Sequence, residues 1–161
     1  MISFMKTNPA AVTPINQPFS KKNVQKRGVS LQLLVNQLLT NSMTMAFHSK
    51  SLVINEVARH IELSKDKVMV ASVIRDLLAT IISNARNGQI YISAERFRDI
   101  ITLQIQERNN YNGYALAYSI RTMEAEAAAV GASISIDGEQ KRVVTVSLSF
   151  PNSKELSQYE A

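Results

Sequence analysis

Residues 142–150, RVVTVSLSF, alternate without interruption: Val144, Val146, Leu148 and Phe150 face one way, and Thr145, Ser147 and Ser149 face the other. A period of two sorts these sets onto opposite faces of a β-strand. A strand covered on both faces, as in a doubly wound parallel sheet, would be apolar throughout. This strand therefore belongs to a sheet with one dry face and one wet one. The pattern recurs at Ile90 and Ile92, and again at Ile101, Leu103 and Ile105 across Thr102, Gln104 and Gln106, with ERFRD as the turn between the two runs. ASISID, ahead of an Asp137-Gly138 turn, and SLVINEV at 51–57 read as further strands.

Three helical stripes complete the pattern. Leu31, Leu34, Val35, Leu38 and Leu39 share one face behind Ser30, a suitable cap. Val73, Ile74, Leu77, Leu78, Ile81, Ile82 and Ala85 form the second stripe, with a stop expected at Asn87-Gly88 through a left-handed glycine. Leu116, Ile120, Met123, Ala127 and Val130 form the third, ending at Gly131. The segment ARHIELSKD reads as a loop with a short turn. The fold class expected is a two-layer α/β sandwich: a mixed, mostly antiparallel sheet with about three helices on one face.

The 161 residues are one domain's worth of chain and need no disulfide, and there is no cysteine to form one. Three of the four prolines, Pro9, Pro14 and Pro18, lie near the start and Pro151 near the end. The expected division is a disordered basic arm over 1–28, a folded domain over 29–151 and a polar tail over 152–161. The net charge of +5 belongs to the arm, where Lys6, Lys21, Lys22, Lys26 and Arg27 occur without an acid, and the other 13 basic residues are matched by 13 acidic ones. A solvated arm and a contact with nucleic acid or anionic lipid both remain open. A neutral body offers no positive groove, which speaks against nucleic acid as the main partner. No run of about 18 apolar residues and no signal-peptide core occurs, so the expected location is the cytoplasm, with no membrane span.

Catalytic patterns are scarce. GxSxG, HExxH and a GxxxxGK[ST] phosphate loop are all missing, and His48 and His60 sit in polar surroundings without a carboxylate at metal-site spacing. Asn84, in ATIISNARNG at the edge of the second stripe, stands apart. It either hydrogen-bonds its own backbone at the helix end or contacts a ligand, since an amide oxygen suits Mg²⁺ and its NH₂ suits a phosphate oxygen.

The order helix, strand, helix ending in SNA, two strands, polar connection, helix ending in VG and hairpin ending in SFP resembles the ATP-binding domain of sensor histidine kinases, the GHKL or Bergerat fold shared with gyrase and MutL. Thr80-Ile81-Ile82-Ser83-Asn84-Ala85 is similar to that family's NLLSNA box, and Gly113 to Ser119 to its GLGLAIV segment. Val130 to Ser135, the Asp137-Gly138 turn and Val144 to Pro151 are similar to the closing GGRIEV and TTFTVRLP. The resemblance spans about residues 45–151. It implies a nucleotide site at Asn84, Thr80, Asn87, Glu107, Asn109 and Gly113, with Asn84 as the Mg²⁺ ligand.

The departures from that pattern are chemical. Thr80 stands for the first asparagine of the box and Asn87 for a basic residue. Glu107-Arg108-Asn109-Asn110-Tyr111 replaces DxGxG, whose aspartate reads the adenine amino group and whose glycines let backbone approach the base. Only about three residues, Asn110 to Asn112, remain where the family has a lid over the triphosphate, although Gly113 still opens a helix whose amides would face phosphate. Ala115 replaces a further glycine, and neither histidine precedes an acid as a phosphoacceptor does. The expectation is a degenerate kinase-type ATPase domain without catalysis. It would act as a binding or regulatory module for a signalling protein or a second copy of itself, with no required cofactor. One alternative is weak binding of Mg-ATP or ADP; another is nucleic-acid binding through the arm.

Overall fold

The computed structural model describes residues 28–64 and 68–152. The elements are β1 (Val29–Ser30), α1 (Leu31–Thr40), α2 (Met43–His48), β2 (Leu52–Asn55), β3 (Glu62–Leu63), α3 (Val70–Asn84), β4 (Gln89–Phe97), β5 (Ile100–Arg108), α4 (Gly113–Arg121), α5 (Glu124–Ala129), β6 (Ser133–Asp137) and β7 (Val144–Pro151). The expected arm and tail fall almost wholly outside the described residues.

Five strands form the main sheet in the order β2-β4-β5-β7-β6. β2 and β4 run parallel, as they must when α3 is the crossover between them, and the other neighbours are antiparallel. The sequence period sets the register. Ile92, Ile105 and Val146 line up on the dry face, as do Ala94, Leu103 and Leu148; Ser93, Gln104, Ser147 and Ser135 line up on the wet one. On that wet face the Thr102 and Ser149 hydroxyls bond across the strands at 3.0 Å.

α3 lies over the dry face and buries Val70, Val73, Ile74, Leu77, Leu78, Ile81 and Ile82. Each such side chain contributes about 1.5–3 kcal/mol relative to exposure. α1 starts where expected, with the Leu33 amide donating to Ser30 Oγ at 3.3 Å. Two helices occupy the third stripe. α4 ends at Arg121 and α5 begins at Glu124; at the break Thr122 Oγ1 donates to the Ser119 carbonyl at 2.6 Å, and Met123 and Ala127 stay buried.

Other boundaries also differ from the sequence expectation. α3 ends at Asn84, and Ala85 is already extended. The left-handed residue is Asn87, at φ 50°, not Gly88. At Gly88 a Cβ would stand 3.5 Å from a Glu107 carboxylate oxygen, an ordinary contact, so neither φ nor space demands glycine there. The β4–β5 turn narrows to Arg98 and Asp99, and six residues, 138–143, join β6 to β7. α2 and the small β1–β3 ribbon were not expected. In α2 only Ala46 is buried while Met43, Met45 and Phe47 are exposed, so no apolar period announces the helix.

Candidate functional site

The inward ladder of β5 runs Ile101, Leu103, Ile105 and then Glu107, in register with Ile90 on β4 and Val144 on β7. A carboxylate thus occupies the last core position, and it is 1% exposed. The C-terminal end of α3 brings Asn84 to it. The connection from β5 to α4 brings Asn110, itself buried. Neither Glu107 oxygen makes a hydrogen bond, and neither do Asn84 Nδ2 and both polar side-chain atoms of Asn110. Burial raises the Glu107 pKa above the usual carboxylate value, while the neighbouring Asn110 and Asn84 side-chain amides pull it partly back.

The β5–α4 connection consists of Asn109 to Asn112, and it is tied down at several points. The Asn110 amide donates to the Arg142 carbonyl at 2.7 Å. Arg142 Nη1 donates to Asn109 Oδ1 at 2.9 Å, and Asn109 Nδ2 donates to the Asn87 carbonyl at 3.3 Å. Arg86 Nε donates to the Tyr111 hydroxyl at 3.1 Å. Asn112 Oδ1 accepts from the Ala115 amide and caps α4. The Asn112 side chain thereby uses one of the amides that an open helix N-terminus would present to an anion.

Among the residues singled out from sequence, Asn84 and Glu107 meet. Asn87 and Asn109 are bonded to each other on the rim, both in left-handed conformations. Thr80 faces elsewhere: its hydroxyl donates to the Asp76 carbonyl at 2.8 Å and lies 3.7 Å from Met123 Sδ. Gly113 is buried under the β6–β7 loop, where a Cβ would collide with the Glu139 carbonyl. Sequence reasoning did not assign Asn110 to the cluster. Its signal was a second asparagine in a short polar connection, three residues beyond a core-facing carboxylate.

A cavity of about 250 Å³ beside the start of α4 is lined by Asn110, Tyr111, Tyr114, Glu139 and Arg142 among others, but not by Glu107 or Asn84. Among the described residues no group of three or more His, Cys, Asp or Glu side chains is placed to hold a metal ion. No helix there is long and apolar enough to cross a membrane.

No protein-family model and no curated protein matches this sequence. Solved structures do. The nucleotide-free catalytic domain of histidine kinase ThkA superposes with a TM-score of 0.60 at 15% identity, covering 78% of this chain and 95% of that one. Acinetobacter baumannii histidine kinase AdeS gives 0.60 at 13% identity over 83% of this chain and 72% of its own. The blue-light activated histidine kinase of Erythrobacter litoralis gives 0.59 at 8% identity over 81% and 48%. The fold is therefore that of a histidine kinase catalytic domain, an α/β sandwich. At these identities the likeness concerns architecture, and the site must be argued from its own residues.

Proposed function

We propose that this chain is a degenerate histidine kinase-type ATPase domain that has lost phosphoryl transfer and serves as a binding or regulatory module in two-component-type signalling. The observation that carries this reading is the Asn110 amide standing against the Glu107 carboxylate. A carboxamide carries an N–H donor beside a C=O acceptor, the same pair that the amino edge of adenine offers; on this reading the buried Asn110 side chain fills that position from within the chain, without bonding Glu107. Its backbone is held by Arg142, and the Glu139 backbone sits against Gly113 where phosphate would approach.

A Mg-triphosphate does not fit this arrangement. The oxygens near Asn84 belong to Glu107 and Asn110, which are buried with its Nδ2 instead of facing an open cleft, and Asn87 brings no charge to a phosphate. A four-residue connection encloses nothing, and phosphoryl transfer depends on positioned, water-excluding charge stabilisation.

The regulatory half of the reading rests on surface chemistry and analogy. Met43, Phe47, Tyr114 and Tyr118 are large and exposed, and aromatic and methionine side chains are enriched at protein interfaces. Histidine kinase ThkA, at 14% identity and a TM-score of 0.56, has been solved in complex with a response regulator. A signalling protein of that kind, or a second copy of this chain, is the proposed partner, in the cytoplasm.

One observation favours a second reading, weak adenine-nucleotide binding without turnover. Both Glu107 oxygens and Asn84 Nδ2 are buried without partners, and a base amino group could satisfy the carboxylate. Thermal melts with Mg-ATP and Mg-ADP separate the two. On the first reading any effect of nucleotide on the native melt is the same in Glu107→Gln, and Asn110→Gly, which removes the internal amide, acquires a nucleotide-dependent rise. On the second, the native chain gains about 2.7 kcal/mol at roughly a hundredfold excess over Kd, and Glu107→Gln abolishes the gain.

A further inference from the structure

We propose a second site, a small-anion cleft between α2 and the C-terminal end of α3, for a ligand bearing a phosphate or carboxylate group. The cleft has a volume of about 410 Å³, within the range of small-molecule sites. Met45, His48, Lys50, Ser83, Arg86 and Asn87 line it, and its lining contains no acidic residue. It lies apart from the Glu107 cluster: neither Glu107 nor Asn110 contributes to its walls.

The walls are built by a hydrogen-bonded seam between two turns. The Asn87 amide donates to the Ser49 carbonyl at 2.9 Å, Leu52 to the Gly88 carbonyl at 2.9 Å, and Gly88 to Ser51 Oγ at 3.3 Å. The Ser49 and Ser83 hydroxyls donate to backbone within their own turns, so they bring no free donor to the cleft. Arg86 uses Nε on Tyr111 and keeps its other nitrogens. Among the described residues, the Lys50 ammonium forms no ion pair or side-chain hydrogen bond.

A simpler explanation for these cations is compensation of helix dipoles, because the cleft opens at the ends of α2 and α3. Each helix end amounts to roughly half a negative charge, and α2 has only 6 residues. Lys50 and Arg86 bring two full positive charges. A positive excess remains after the dipoles are offset.

Lys50 and Asn87 both take left-handed conformations, at φ 55° and 50°. At Lys50 this is the ordinary close of α2, with the Ser51 amide donating to the Ala46 carbonyl at 3.0 Å and the Lys50 amide to the Phe47 carbonyl at 3.1 Å. The two turns bring Lys50 and Arg86 to the same cleft.

The test is a ¹H–¹⁵N NMR titration of the full chain at low ionic strength with sodium pyrophosphate and, separately, with sodium citrate. The expected result is a saturable shift of the Ser49, Lys50, Arg86 and Asn87 amides. Lys50→Gly and Arg86→Gln should each weaken it tenfold or more, with the Lys50→Gly melting point unchanged or raised. Tighter binding of pyrophosphate assigns the site to phosphate, and tighter binding of citrate assigns it to carboxylate. Glu107→Gln should leave either titration unaltered. Shifts that stay linear in anion and spread over the surface, or equal affinity in both variants, would overturn the proposal.

Discussion

The two ends of β5 share one strand, one face and one helix layer, yet they are built on opposite terms. At Ile101, Leu103 and Ile105, hydrocarbon meets the hydrocarbon of β4, β7 and α3, and all three are fully buried. Two residues further on, Glu107 is just as buried but meets two amides that make no hydrogen bond with it. The first end has nothing left to satisfy and supplies stability. The second carries an uncompensated cost, which folded proteins tolerate chiefly where a site is or once was.

The contrast breaks most visibly at the apolar end. Leu103→Ala, which leaves a cavity between packed strands, should lower unfolding free energy by about 2–5 kcal/mol in a denaturant titration. At the polar end the sign should reverse: Glu107→Gln keeps the shape and removes a buried charge, so at pH 7 it should stabilise the apo chain by about 1–3 kcal/mol. Destabilisation of that size would instead identify Glu107 as a structural partner.

The pH dependence sharpens the same point. The folded-state pKa of Glu107 is raised, so the folded chain holds the proton more tightly than the unfolded chain does. Its contribution is fully present below the ordinary glutamate range and is lost as pH rises through the elevated folded value. Native stability relative to Glu107→Gln should therefore fall with rising pH across that window, a trend that melts from pH 4 upward would register.

Gly113→Ala forces a methyl group into the Glu139 carbonyl and should cost about 1–3 kcal/mol through loop displacement. The smallest expected effect is that of Asn112→Ala, about 1 kcal/mol, from loss of the α4 cap.

Period alone made most of the fold legible. The alternation at 144–150 fixed a one-sided sheet, and the stripe at 73–82 fixed α3 and its buried face. The sequence reading was least sharp where local chemistry acts without period. α2 exposes most of its apolar residues, the ribbon β1–β3 has two-residue strands, and the last helical stripe is divided at Thr122. Asn84 was visible as a polar residue at the edge of the second stripe, and Glu107 through the resemblance to histidine kinases. Asn110 was not, because nothing in the sequence says that a connection of four residues will turn one amide inward while bonding its neighbours to Arg142 and Asn87.

The central claim is that the chain's own atoms occupy the cleft before Glu107. Isothermal titration calorimetry of Mg-ATP into the purified native chain tests it most directly. The account predicts no saturable heat that depends on Glu107: the native chain and Glu107→Gln give the same isotherm at millimolar nucleotide. A one-to-one isotherm with a micromolar Kd, abolished by Glu107→Gln, would contradict it.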